Sequence, residues 1–406
     1  MTAHAAQFPG ERRSRHVCIT SVFGHPLDGR TWSGAPCNLA AALREQGIEV
    51  GGIYTGPDRP RMAALAVGHA LRSGRVAFGG EQVRRGAAAR RYGARVVAEA
   101  AATHGITTFL HTGTLDLPPA DSNAAVRHVL YCDHTWHLAR QHLPSHRRYR
   151  NTDGDRIEEL ERRSFAGAAH IFTFGAYVRD DLIDHYRIAP ERVSAVGSGR
   201  GAIAPYFGPK DYANGVLLFI AKHLFEAKGG PLVLEAFRRV RARRPDARLL
   251  VVAQGGAGQS ASQMPGVELF GFLSWDELQT LYRSASLLVQ PMLNDPWGQV
   301  YLEALASGTP VLGLRRNGLP EITEEGRHGF LVDVPDPDAV AEAILAALDD
   351  PGLLAAMGAS GRRHVLDSYS WHAVASRMAR DLFAGETSNV VGLAEDVRRQ
   401  RRAADG

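Results

Sequence analysis

Residues 290–330 read QPMLNDPWGQVYLEALASGTPVLGLRRNGLPEITEEGRHGF, and the fold is decided by how this stretch is parsed. The apolar run just upstream, SLLVQ at 286–290, has the length and composition of a buried strand. Residues 298–307 carry helical periodicity and stop at Gly308, and a second strand is predicted at 310–314. The segment is therefore a strand–loop–helix–strand crossover. Asp295 falls on the loop and Glu303 inside the helix, eight positions apart, with Trp297-Gly298 between them. Loops at the carboxyl end of a parallel sheet are where doubly wound domains hold ligands. The free N–H groups at a helix start suit a phosphate or sugar oxygen. Taken singly, Asp295 before Pro296 is an ordinary turn former and Glu303 an ordinary helix residue, so the whole pattern carries the reading.

The same alternation runs outward in both directions. Strands are predicted at 16–22, 48–53, 107–111, 127–132 and 170–174, with helices at 36–46, 156–169 and 176–185. After a Pro- and Gly-containing stretch at 202–215 the pattern restarts: strands at 216–221 and 248–253, helices at 231–244, 275–284 and 338–349. Alternating strands and helices imply parallel sheets, and two series joined by a linker imply two Rossmann-like domains. The length of 406 residues suits two cores. Composition is that of a soluble globular protein, 45% hydrophobic and 22% charged. No apolar run is long enough to span a bilayer, and residues 1–15 lack the apolar core of a signal peptide and read as a disordered lead-in. Cys18, Cys37 and Cys132 have no metal-ligand spacing, so a reduced, cytoplasmic protein is the economical reading.

Chemistry-bearing residues gather at turns that follow strands. Lys222 leaves the strand at 216–221, and Lys228 stands before the helix at 231–244, in a chain whose basic residues are overwhelmingly arginine. Two ammonium groups over a helix start form a site for a diphosphate, although solvated surface lysines share this spacing. Further turns carry Thr31-Trp32-Ser33-Gly34, Asp133-His134, Arg200 within 195–201, and Phe272 within 269–274. His134 has the chemistry to exchange protons near neutral pH. Asp153-Gly154-Asp155 has the acid-x-acid spacing of a metal site but sits where acids cap a helix, and the capping reading is preferred. Arginine-rich stretches at 84–95, 147–150 and 398–402 have the charge to meet anionic lipid, yet no nucleic-acid motif accompanies them, and solvated faces are the simpler reading.

Asp-Pro-Trp-Gly, four residues, then Glu303-Ala304 resembles the donor-site signature of glycosyltransferase family 4, whose motif runs Glu-x-Phe-Gly, four residues, Glu-Ala. Asp295 stands where that family usually has Glu. The resemblance covers roughly residues 16–385 and is strongest over 216–334. It implies an α/β protein of the GT-B architecture, two Rossmann-like doubly wound domains facing a cleft. Residues 16–208 would form the acceptor-side domain, 209–370 the nucleotide-sugar-binding domain, 371–390 a helix returning to the first domain, and 391–406 a basic tail. The implied activity is retaining, hexosyltransferase-type transfer from a nucleotide-sugar (UDP-, GDP- or another) to an acceptor hydroxyl on a glycan, a lipid-linked or a small-molecule acceptor. No metal or other cofactor is implied, nor nucleic acid, and at most peripheral membrane contact. Carried over residue by residue, the resemblance gives Lys222, Lys228, Asp295 and Asp133 catalytic roles. It gives donor contacts to Ser33, Gly34, His134, Arg200, Phe272, Trp297, Gly298, Gln299 and Glu303. Here Ala221 replaces the family's Gly, and the turn carrying Lys228 is one residue longer than the common form. A nucleotide-sugar epimerase or hydrolase on the same fold, and a non-catalytic sugar- or lipid-binding module, are the competing readings.

Overall fold

The computed structural model describes residues 15–73, 80–118, 125–143, 146–147, 149, 151–222, 224–254 and 261–383. Two six-stranded sheets organise the chain, and every strand pairing in them is parallel. The first contains β1 (His16–Ser21), β2 (Glu49–Tyr54), β3 (Thr108–Thr112), β4 (Arg127–Cys132), β5 (His170–Thr173) and β6 (Val193–Ala195), in the order β2-β1-β3-β4-β5-β6. The second contains β7 (Val216–Lys222), β8 (Arg248–Ala253), β9 (Val267–Phe270), β10 (Leu287–Val289), β11 (Val311–Leu314) and β12 (Gly329–Val332), ordered β12-β11-β10-β7-β8-β9. The second order is that of a doubly wound dinucleotide-type domain, and its strand order reverses between β7 and β10. Helices cover both faces, which is why these strands are continuous apolar runs rather than alternating ones. Every residue of β7 is buried except Lys222.

The crossover that follows β10 forms as its residues dictate. Gly298, at φ 79°, precedes the helix Gln299–Ala306, and Gly308, at φ 71°, ends it. A Cβ at position 298 would stand 2.6 Å from the Met292 Cε, so the left-handed turn and the close approach both call for glycine. The β10 strand is only three residues long, and the buried Gln290 side chain extends it. Its amide accepts from the Ile220 N–H and donates to the Ile220 carbonyl, both at 3.0 Å, in the manner of another ladder rung.

Several segments depart from the sequence expectations. The helix expected at 156–169 is Asn151–Gly167, because its acidic first turn suits the helix dipole. Asp153 and Asp155 therefore lie inside it rather than in a preceding turn, and Asp155 pairs with Arg140 at 3.1 Å. The region 59–104 contributes the helices Arg59–Ser73, Gly80–Arg85 and Ala87–His104. Arg90 is not on a solvated face: it is buried and donates to the Thr114 carbonyl at 2.6 Å. Cys18, Cys37 and Cys132 are free thiols. Among the described residues no helix is long and apolar enough to cross a membrane. The lead-in at 1–14, Arg148, Arg150 and the basic tail lie outside the described residues.

The returning helix holds the halves in one piece, and a lysine ties the linker to the second half. The helix Trp371–Leu382, capped by the Ser370 hydroxyl, lies on the first sheet's side, where Arg377 donates to the Val196 carbonyl and Gln46 to the Ser376 hydroxyl. In the linker, Lys210 directs its ammonium at the carbonyls of Tyr282, Arg283 and Ala285 and at the Thr309 hydroxyl, at 2.8–2.9 Å. These carbonyls end the helix Trp275–Ser284, where a cation is favoured. Burial pushes the Lys210 ammonium down to about 7, so the clasp weakens as pH rises through neutrality; replacing Lys210 with Met removes its hydrogen bonds to the Arg283 and Ala285 carbonyls, each worth about 1 kcal/mol. The Lys210→Met protein is expected to unfold several degrees below the wild type in a thermal melt, and an unchanged melt would show the clasp to be idle.

Candidate functional site

The carboxyl ends of the two sheets face one another across a cleft of about 340 Å³. On the second sheet the wall comes from the end of β7 (Ile220, Ala221, Lys222), from Lys228, and from residues 294–300 with Glu303. This is the place where the strand order reverses, the usual ligand crevice of such sheets. The first sheet supplies Trp32, Ser33 and Ala35 after β1, Asp133 after β4, and Phe174 after β5.

Backbone pairing fixes the two lysines differently. Lys222 ends β7 in the left-handed region, at φ 54°, where the β7–β8 register shifts. Its ammonium stands 5.2 Å from the centroid of the Trp275 ring. Lys228 is not simply ahead of the long helix: it closes the short helix Phe225–Lys228, and Gly229 in the left-handed region separates this from Gly230–Arg243. The Lys228 carbonyl accepts from the Met292 N–H at 3.1 Å and the Ala227 carbonyl from the Asn294 N–H at 2.8 Å. The longer turn is thereby stitched to the loop after β10, and the Lys228 ammonium makes an ion pair with the Asp295 carboxylate.

Three carboxyls meet in this partly dehydrated space. Burial raises the Asp295 carboxyl, but the Lys228 charge, with hydrogen bonds from Lys228 and from the Trp297 and Gly298 backbone, holds it below the ordinary carboxylate range. Burial, with Asp295 as a like charge nearby, pushes Asp133 up to about 7. Glu303 is also raised by burial, which Tyr282 and the charges of Lys222, Arg200 and Lys228 only partly offset. One Glu303 oxygen accepts from the Tyr282 hydroxyl at 2.8 Å. The other faces Gly201 so closely that a Cβ there would stand 1.9 Å away.

Of the residues singled out in the sequence, Ser33, Asp133, Lys222, Lys228, Asp295, Trp297, Gly298, Gln299 and Glu303 come together on this cleft. Four do not reach its wall. Gly34 lies behind Ser33 and starts the helix Ala35–Glu45 in the left-handed region. The two ring nitrogens of His134 are sealed from solvent without hydrogen-bond partners, and burial pushes the ring down to about 3, so it stays neutral near pH 7 rather than exchanging protons there. Arg200 turns to the Ile203 carbonyl at 2.8 Å and sits under Trp371, whose indole N–H donates to the Arg200 carbonyl. Phe272 is 83% exposed, because its turn leaves β9 beyond the cleft. Sequence reasoning missed Trp32, Phe174 and Trp275. The last stands inside the Ser274–Glu277 capping box as a half-exposed aromatic at the first helical position, a signal that was present in the chain.

The floor of the cleft joins the two halves. The Tyr177 hydroxyl stands 3.0 Å from the carbonyls of both Asp133 and Pro296, and Glu321 accepts from the Ala176 N–H at 2.6 Å. Trp297 is 3% exposed and packs between Phe174, at 5.9 Å, and Tyr369, at 5.8 Å.

Asp133 gives a pH test. Its folded-state value lies above the ordinary carboxylate value near 4, so its contribution to stability is full below about pH 4 and is lost as pH rises through about 7. Asp133→Asn is therefore expected to gain melting temperature relative to the wild type between pH 5 and pH 8. A constant difference across that range would mean that Asp133 ionises normally.

Residues 209–364 match the family model described as glycosyl transferases group 1. The chain is similar to the D-inositol 3-phosphate glycosyltransferase of Corynebacterium glutamicum, 32% identical over 225 residues, covering 49% of this chain and 53% of that one. It is also 32% identical over 171 residues to a GDP-mannose-dependent monoacylated alpha-(1-6)-phosphatidylinositol monomannoside mannosyltransferase from Corynebacterium glutamicum, covering 39% of this chain and 45% of that one. The chain thus spans about half the length of the curated relatives it matches. Among solved structures, the sucrose-phosphate synthase of Thermosynechococcus elongatus superposes with a TM-score of 0.71 at 18% identity, covering 91% of this chain and all of that one. The fold is accordingly the GT-B arrangement of two Rossmann-like domains, and the half that carries Lys222, Lys228, Asp295 and Glu303 is similar in sequence to group 1 glycosyl transferases.

Proposed function

We propose that the protein is a retaining glycosyltransferase that moves a sugar from a nucleotide-sugar to an acceptor hydroxyl. The observation that carries this reading is the convergence of Lys222, Lys228, Asp295 and Glu303 at the strand-order reversal of the second sheet, opposite Asp133 of the first. A donor diphosphate placed beside the end of β7 meets both ammonium groups. Glu303 binds the donor ribose through the oxygen that Tyr282 leaves available, and Asp295 takes hydroxyls of the donor sugar. Trp275 offers a flat face to the nucleobase. Two of the curated relatives are named for an inositol phosphate and a phosphatidylinositol monomannoside, which makes a polyol hydroxyl the first acceptor class to test.

In this reading the bond between the sugar C1 and the β-phosphate oxygen breaks while the acceptor oxygen bonds to C1 on the same face. The acceptor proton passes to the departing phosphate oxygen. Lys222 and Lys228 stabilise charge that grows on the diphosphate, so they act by electrostatics and orientation. No divalent metal is required for this step, and transfer is expected to persist in excess chelator.

Donor entry changes the partner of Lys228 from Asp295 alone to a shared arrangement with phosphate. Lys222→Ala and Lys228→Ala are expected to lower turnover on the order of 100-fold while weakening donor binding much less. Equal losses in both quantities would assign the lysines to ground-state binding instead. Glu303→Gln is expected to cost about 1.5–3 kcal/mol of donor affinity by calorimetry, and wild-type affinity would remove Glu303 from the ribose site. Product analysis by NMR tests the class: a new glycosidic bond with the donor's anomeric configuration is expected, and an inverted bond, or only hydrolysed or epimerised donor, would overturn it.

A further inference from the structure

Away from the cleft, Glu324, His328 and His364 bring three ligand atoms within 4.8 Å of one another. Glu324 follows the short helix Leu319–Ile322 and His328 precedes β12, whereas His364 comes from the helix Pro351–Ser368. None of the three lines the cleft. One Glu324 oxygen stands 3.0 Å from the His328 Nε2 and the other 3.3 Å from the His364 Nδ1. Both Glu324 and Glu325 are held in the left-handed region, at φ 47° and 56°, a costly conformation for non-glycine residues.

The Ser360 hydroxyl lies 3.0 Å from the His328 Nδ1 and 3.2 Å from the Met357 carbonyl, so Nδ1 already has a partner and Nε2 is the ring nitrogen that faces Glu324. The other charged groups facing the cluster are Arg327, which reaches Glu324 from a largely exposed position, and Asp367 near His364.

We propose that Glu324, His328 and His364 bind a divalent transition-metal ion, with Zn²⁺ the best fit. Two imidazole nitrogens and one carboxylate are a zinc donor set, with a fourth position open to water. Metal–ligand bonds of about 2.0–2.2 Å in a tetrahedron place ligand atoms roughly 3.3–3.5 Å apart, and the three ligand atoms, one from each residue, already lie within 4.8 Å of one another. Ser360 fixes the ring orientation of His328, the usual role of an outer partner to a metal-bound histidine. The ion would clasp the turn before β12 to the helix that leads, through Tyr369, into the returning helix Trp371–Leu382.

The test uses the full chain, stripped with chelator and titrated with Zn²⁺ against a chromophoric competitor, and separately with Co²⁺ for its visible spectrum. The expected result is one tight site per chain with a tetrahedral Co²⁺ spectrum, and a melting temperature that rises with Zn²⁺. Glu324→Gln and His364→Gln should lose both, Ser360→Ala should bind roughly 10–100-fold more weakly, and His372→Gln, an exposed histidine elsewhere, should bind as the wild type. Glu324 and His364, both less buried than His328, keep the test open if His328 cannot be replaced without unfolding. Equal Zn²⁺ stoichiometry and affinity in wild type and His364→Gln, or no stoichiometric binding by the wild type, would overturn the proposal.

Discussion

The ion pair between Lys228 and Asp295 is the constraint on which the cleft depends. It spans the place where the second sheet's strand order reverses, tying the turn after β7 to the loop after β10. It also bears on the charge state of its neighbours. Asp133 across the cleft is raised to about 7 chiefly by its own burial, and the ionised Asp295 adds a like charge to that effect. Two carboxyls so placed cannot both ionise cheaply without a further cation or polar ligand. On the proposed function, hydroxyl groups of the donor sugar meet the acids and phosphate charge meets the lysines.

The packing below this layer explains why the pair is where it is. Gln290 extends a three-residue strand with its own side chain, Gly298 allows the close turn under Met292, and Trp297 fills the seam between the halves. Tyr177 and Glu321 then bridge the two sheets at the cleft floor. Each is a local solution to a backbone requirement, and together they aim Asp295 and Glu303 at one volume. Lys210 and Lys228 illustrate the two uses of a scarce residue: one ammonium caps a helix end, the other serves the cleft.

Much of this was legible in the chain. The boundaries of β4, β8 and the helix Trp275–Ser284 follow from apolar runs and flanking breakers alone, and nine of the residues singled out, five of them within the Asp295–Glu303 pattern, line one cleft. What was not legible has physical reasons. The helices between 59 and 104 are rich in alanine and arginine and carry weak periodicity, so their local signal is faint. Short strands such as β6 and β12 exist because neighbouring strands offer a free edge. His134 and Arg200 occupy plausible turns, but their direction is set by tertiary packing, which sends one ring into a sealed niche and the other side chain to a carbonyl. The Glu324–His328–His364 cluster joins residues forty positions apart through the packing of one helix, and no spacing rule finds it.

The central claim, that this cleft is built around a diphosphate held by two lysines, is tested most directly by calorimetry. The nucleoside mono- and diphosphates of uridine, guanosine and adenosine would be titrated into the wild type and a Lys222→Ala/Lys228→Ala double variant. For one base the diphosphate is expected to bind at least about tenfold more tightly than the monophosphate, and this margin is expected to collapse in the double variant. Equal binding of mono- and diphosphates by the wild type, or a margin that survives loss of both lysines, would contradict it.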